Sequence, residues 1–96
     1  MTMARPSLGG GVHLNRGLDI RCRHARALVL QTVGRKEEAN DQLVDVLFDA
    51  VAMGRRDAEC GIDFPPQQFV GSELERHWLH GMLMFEARQL GRYWQP

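Results

Sequence analysis

Histidine and cysteine occur at spacings that could ligate a metal: Cys22-x-His24, Cys60, His77-x-x-His80 and His13. A structural zinc takes four such ligands, usually in tight pairs. His77 and His80 would be near neighbours on a helix, but no Cys-x-x-Cys pair completes a shell. No metal is therefore expected, and both cysteines are read as small buried residues. Carboxylates offer a second chemistry. Glu37, Asp41, Asp45 and Asp49 recur every four residues, with Glu38 alongside. That spacing lays them along one ridge of a helix, where like charges repel unless water or a basic partner meets them. A solvated ridge lacks the burial that retunes a general acid. No phosphate-binding glycine loop, nucleophile elbow or His-Glu-x-x-His pattern occurs, and Gly9-Gly10-Gly11 follows no strand pattern. The expectation is a protein without enzymatic activity and without a cofactor.

Recognition by charge is what remains. Residues 1–35 hold six basic residues against Asp19 alone, whereas residues 36–96 hold eleven acids against six bases. Such asymmetry suits either two partner surfaces or a basic first helix packed beside an acidic second one. Arg21, Arg23, Arg26, Arg55, Arg56 and Arg76 are the candidate RNA contacts, and Glu37, Asp41, Asp45 and Asp49 the candidate protein contacts.

The elements that must carry these groups are helical. With 44% hydrophobic and 25% charged residues over 96 positions, the chain suits one modest core and not disorder. No apolar run approaches the ~20 residues that span a bilayer, and residues 1–11 contain no apolar signal core. Two cysteines are too few for a disulfide scaffold, so a cytoplasmic setting is expected. Residues 1–17 show no periodicity and read as a flexible arm; residues 18–96 read as a single helical domain. The first helix is expected to start at an Asp19 cap and to end before Gly34, with Leu18, Cys22, Ala25, Val29 and Val33 facing the core beside Leu28. Its Ala27-Leu28-Val29-Leu30 run is apolar around most of the circumference and calls for cover on more than one side.

A second helix runs from about Lys36 into the high 50s, with Ala39, Leu43, Val46, Leu47, Ala50, Gly54 and Ala58 on one face. Gly54 within that stripe predicts close approach by another helix or a bulky side chain. The turn Gly34-Arg35-Lys36-Glu37-Glu38-Ala39 looks like that of a tetratricopeptide hairpin, but no second copy follows, so it is read as an ordinary helical hairpin. Pro65-Pro66 breaks the second helix, and Phe64 or Phe69 is expected to plug the core. Ser72 and Glu75 form a capping box for a third helix, which turns Leu74, Trp78, Gly81, Met82 and Phe85 inward. Leu79, Leu83 and Leu90 make a second apolar strip that needs another neighbour or a homodimer partner, and Tyr93 and Trp94 close the chain as a fold-back or surface patch. The fold expected is all-α, about three helices in a small bundle.

The order Ala50, Gly54, Ala58, Gly61, then Pro65 or Pro66, then Arg76, Trp78, Leu79 and Gly81 resembles the ribosome modulation factor family, a short bacterial and phage-borne group. The resemblance covers roughly residues 50–90, with Phe64 in place of the family's cysteine before the proline. It implies a ribosome- or RNA-associated modulator; physically, the matched positions suit a helical hairpin in which Trp78 covers Gly54 and Gly81 lets the helices approach. Residues 50–96 contain five arginines against six acids, a balance that supplies little counterion-release affinity for rRNA. The alternative expectation is therefore a phage- or mobile-element-encoded protein inhibitor of the anti-CRISPR type. Such a protein would set its acidic second helix into a basic nucleic-acid-binding groove of its partner. Neither expectation involves a membrane.

Overall fold

A computed structural model describes the backbone of residues 15–94 and the side chains of residues 15–91. Among the described residues the protein is all-α: α1 (Leu18–Thr32), α2 (Lys36–Glu59), a single 3-10 turn (Gln67–Phe69) and α3 (Glu73–Trp94), with no strand. The arm expected over residues 1–17 lies mostly outside the described residues, as do His13 and the side chains of Tyr93 and Trp94. Its last residues are firmly placed, because Arg16 is tied to Asp57 and to the Phe64 carbonyl. No described helix is long and apolar enough to cross a membrane.

The same device ends α1 and α2. Gly34 and Gly61 follow the helix ends in the left-handed conformation, at φ 90° and 81°. The N–H of Gly34 donates to the Gln31 carbonyl and that of Arg35 to Leu30; the N–H of Gly61 donates to Ala58 and that of Ile62 to Asp57. Each turn is thus a Schellman closure that satisfies the last carbonyls of its helix. At the start of α3 the Ser72 hydroxyl accepts from the Leu74 N–H at 3.2 Å, while Glu75 reaches back to the Gly71 N–H at 3.0 Å. The expected capping box is present with Glu75 taking the donor one residue further out.

Helix α2 lies in the middle, packed against α1 on one side and α3 on the other. The α2–α3 pair is antiparallel and interlocked at the backbone. A Cβ at Gly54 would collide with the carbonyl of Trp78, and one at Gly81 with the carbonyl of Val51. The glycine Cα hydrogens therefore face carbonyl oxygens, a contact worth ~0.5–1 kcal/mol each. This is the close approach that Gly54 predicts. Around it Ile20, Val46, Ala50, Phe69, Leu74 and Trp78 form the core, with Leu47, Met53 and Met82 on its edge. Phe69 is the aromatic that plugs the core, and Phe64 stays half exposed.

Helix α1 departs from expectation. Its buried residues are Ile20, His24 and Ala27, while Leu18, Val29 and Val33 are exposed, as are Cys22 and Ala25. Nor does Asp19 cap it, since the N-cap position is Gly17, with no side-chain bond. The reason lies in the Ala27-Leu28-Val29-Leu30 run, which is apolar around most of its circumference, so that periodicity does not choose the buried side. Small Ala27 and His24, hydrogen-bonded to Glu73, join Ile20 on the inner face, and Val29 and Val33 stay outside.

Candidate functional site

The outer face of α2 carries the candidate site, because α1 and α3 cover its flanks and leave the ridge opposite the core in solvent. Glu37, Asp41 and Asp45 are exposed, and among the described residues no ion pair engages them. Asp49 leaves this set. It accepts from Arg23 at 2.7 Å, and Arg23 also reaches Asp19 at 3.0 Å. The bond to Asp49 raises the Arg23 guanidinium above its ordinary range against the opposing effect of burial, and Asp19 adds to it. The basic first helix and the acidic second one thus meet, at one point. Glu38 pairs with Arg35.

Apolar side chains interleave with the acids. Phe48 is 70% exposed and Val44 52% exposed. They border shallow depressions completed by Leu47, Val51 and His77 at one end and by Ala52, Gly81 and Met84 at the other. Phe48 belongs to neither the expected core stripe nor the acidic ridge. Its spacing could have revealed it, because Val44 and Phe48 lie among Asp41 and Asp45 on the polar side of an otherwise well-patterned helix.

The candidate RNA contacts are spread over the molecule. Arg23 and Arg56 line a depression between α1 and α2, and Arg26 sits beside Arg23 on the same side. Arg55 lies on the opposite flank with Glu59, Phe85 and Arg88. Arg76 is exposed, half a helical turn from the buried line Leu74–Trp78–Gly81, and Arg21 is half-buried on α1. No single face collects the six.

Two buried polar clusters were not anticipated. Asp57, 8% exposed, accepts from the Trp78 indole N–H at 2.8 Å and from Arg16 at 3.3 Å. Arg16 also donates to the Phe64 carbonyl at 2.6 Å, with its guanidinium carbon 4.9 Å from the centre of the Phe64 ring. The sequence signal was Asp57 three residues beyond Gly54 on the core stripe. His24 is the second case, with Nε2 2.9 Å from Glu73 Oε1 and a buried Nδ1 that has no partner. Both clusters join segments distant in sequence, and neither surrounds an open cleft. They hold the fold together.

His77 donates from Nδ1 to the Glu73 carbonyl at 2.9 Å within its own helix, and His80 is exposed. Among the described residues no three His, Cys, Asp or Glu side chains come together as a metal shell. Cys22 and Cys60 are free and exposed, contrary to their expected burial. Cys22 lies on the side of α1 opposite its buried line Ile20–His24–Ala27, and Cys60 occupies the C-cap of α2. Comparison with known proteins found no matching family model, curated protein or solved structure.

Proposed function

We propose that this chain is a small non-catalytic binding protein, acting in the cytoplasm, that engages a basic nucleic-acid-binding protein through the outer face of α2. The observation that carries the reading is the unpaired acidic ridge. Glu37, Asp41 and Asp45 stand in solvent over about 12 Å of helix, beside exposed Val44 and Phe48. Like charges at this spacing cost a few tenths of a kcal/mol per pair in isolation. A positive groove on a partner converts that cost into attraction, and the charges also steer encounter. The apolar residues between them supply contact area that an ionic ridge alone lacks. An inhibitor carried by a phage or mobile element that occupies a nucleic-acid groove needs this combination and no active site.

A ribosome- or RNA-associated modulator is the second reading. It rests on the resemblance to ribosome modulation factor in the order Ala50, Gly54, Ala58, Gly61, then Pro65 or Pro66, then Arg76, Trp78, Leu79 and Gly81. Affinity for rRNA comes from several phosphates neutralised together, and the dispersed arginines supply this less well. One experiment separates the readings: capture from a bacterial lysate with and without nuclease, using the natural chain, Asp41→Lys/Asp45→Lys and Arg55→Ala/Arg56→Ala/Arg76→Ala. Capture that survives nuclease and is lost on reversing the acids supports the protein partner. Nuclease-sensitive capture lost with the arginines supports RNA. Binding indifferent to both sets overturns both.

A further inference from the structure

We propose that the outer face of α2 also pairs with a second copy of this chain, antiparallel, about a two-fold axis through Phe48. Asp41, Val44, Phe48, Val51 and Arg55 follow one another at steps of three, four, three and four residues. This is the spacing of a coiled-coil seam. All five are exposed or half-buried, so the seam lies on the surface. Phe48 at its centre is 70% exposed, and the core of this protein makes no use of it.

The charges at the ends of the seam choose the partner and its direction. Asp41 lies seven residues before Phe48 and Arg55 seven residues after it. Each is therefore about 10.5 Å from the centre along the helix. An antiparallel copy sets Asp41 of each chain against Arg55 of the other, twice, with Val44 facing Ala52, Val51 facing Asp45 and the two Phe48 rings meeting on the axis. A parallel copy stacks Asp41 on Asp41 and Arg55 on Arg55, which opposes association. Such self-complementarity is what an isologous dimer requires. The depression lined by Phe48, Val51, Arg55, Gly81 and Met84 adjoins the seam on the side of α3. Because Asp41 belongs to this surface and to the acidic ridge, the homodimer and the complex with a basic partner compete. The homodimer is nonetheless tested on the isolated chain.

Sedimentation equilibrium of the chain carrying Cys22→Ser and Cys60→Ser, which excludes cross-linking by the exposed thiols, reads the proposal. The expected result is a mass double that of one chain, rising with concentration from the micromolar range upward. Phe48→Glu should give a monomer with unchanged helix content by circular dichroism. Asp41→Arg and Arg55→Asp should each weaken the dimer by roughly tenfold, and the two together should restore it. The charge exchange keeps the test decisive if Phe48→Glu fails to fold. A natural chain that stays monomeric into the millimolar range, or an exchange that restores nothing, overturns the proposal.

Discussion

Where α2 meets α3, two glycines let the backbones touch and Leu74 and Trp78 fill the space beside them. Where α2 meets α1, the buried apolar side chains of α1 are Ile20 and Ala27 alone. Polar links supply the rest: Arg23 to Asp49 of α2, His24 to Glu73 at the start of α3 and, just ahead of the helix, Arg16 to Asp57. Steric interlock is indifferent to salt and requires the two helices to separate before anything is lost. Charged links exchange with water more readily, and exposed ones contribute ~0–1 kcal/mol. The difference makes the hairpin the rigid body and α1 a strap across it, with local stability graded accordingly.

Substitutions at the two contacts test that contrast. Trp78→Ala has the largest expected effect, about 3–5 kcal/mol by urea unfolding, since it empties the centre of the core and orphans Asp57. For a domain of this size, whose total stability is about 5–10 kcal/mol, most of the chain should then unfold. Gly54→Ala should cost about 3 kcal/mol, because its methyl meets a backbone carbonyl that cannot turn aside. A cost near zero would mean that the helices separate easily and that the interlock contributes little.

Ile20→Ala should cost about 2 kcal/mol and act locally. Hydrogen exchange should accelerate in α1 while the amides of α2 and α3 keep their protection; equal acceleration in all three would abolish the distinction between strap and hairpin. Arg23→Ala should cost only about 0.5 kcal/mol, and raising the salt concentration should shrink that difference.

How much of this was legible beforehand differs between the same two regions. The second helix could be read because Ala39, Val46, Ala50 and Gly54 keep one period and the acids keep another. Gly54 and Gly81 predicted contact, since a glycine on an apolar stripe has little other use there. The first helix could not be oriented, because Leu28, Val29 and Leu30 blur its pattern and its true inner face includes a histidine. His24 is buried because Glu73 meets it across forty-nine positions of sequence. Asp57 was hidden for a related reason: a carboxylate on a core stripe makes sense only once Trp78 and Arg16 are seen to converge on it. The candidate surface was half legible. The acids follow from their spacing, Asp49 is engaged by Arg23 from another helix, and Phe48 stands out on the polar side both by its spacing and by a core that leaves it out.

The seat of α1 has a consequence for the order in which the molecule assembles. Arg16 and His24 rest on Asp57, Phe64 and Glu73, and the chain leading into α1 lies against Pro66 and Phe69. Every one of those supports is made later in synthesis than the helix that needs them. A 15-residue helix is marginal in water by itself. The first helix to emerge is therefore expected to be the last to dock, waiting for a closed connector and a formed hairpin. Pulsed hydrogen exchange during refolding should find the amides of α2 and α3 protected before those of α1.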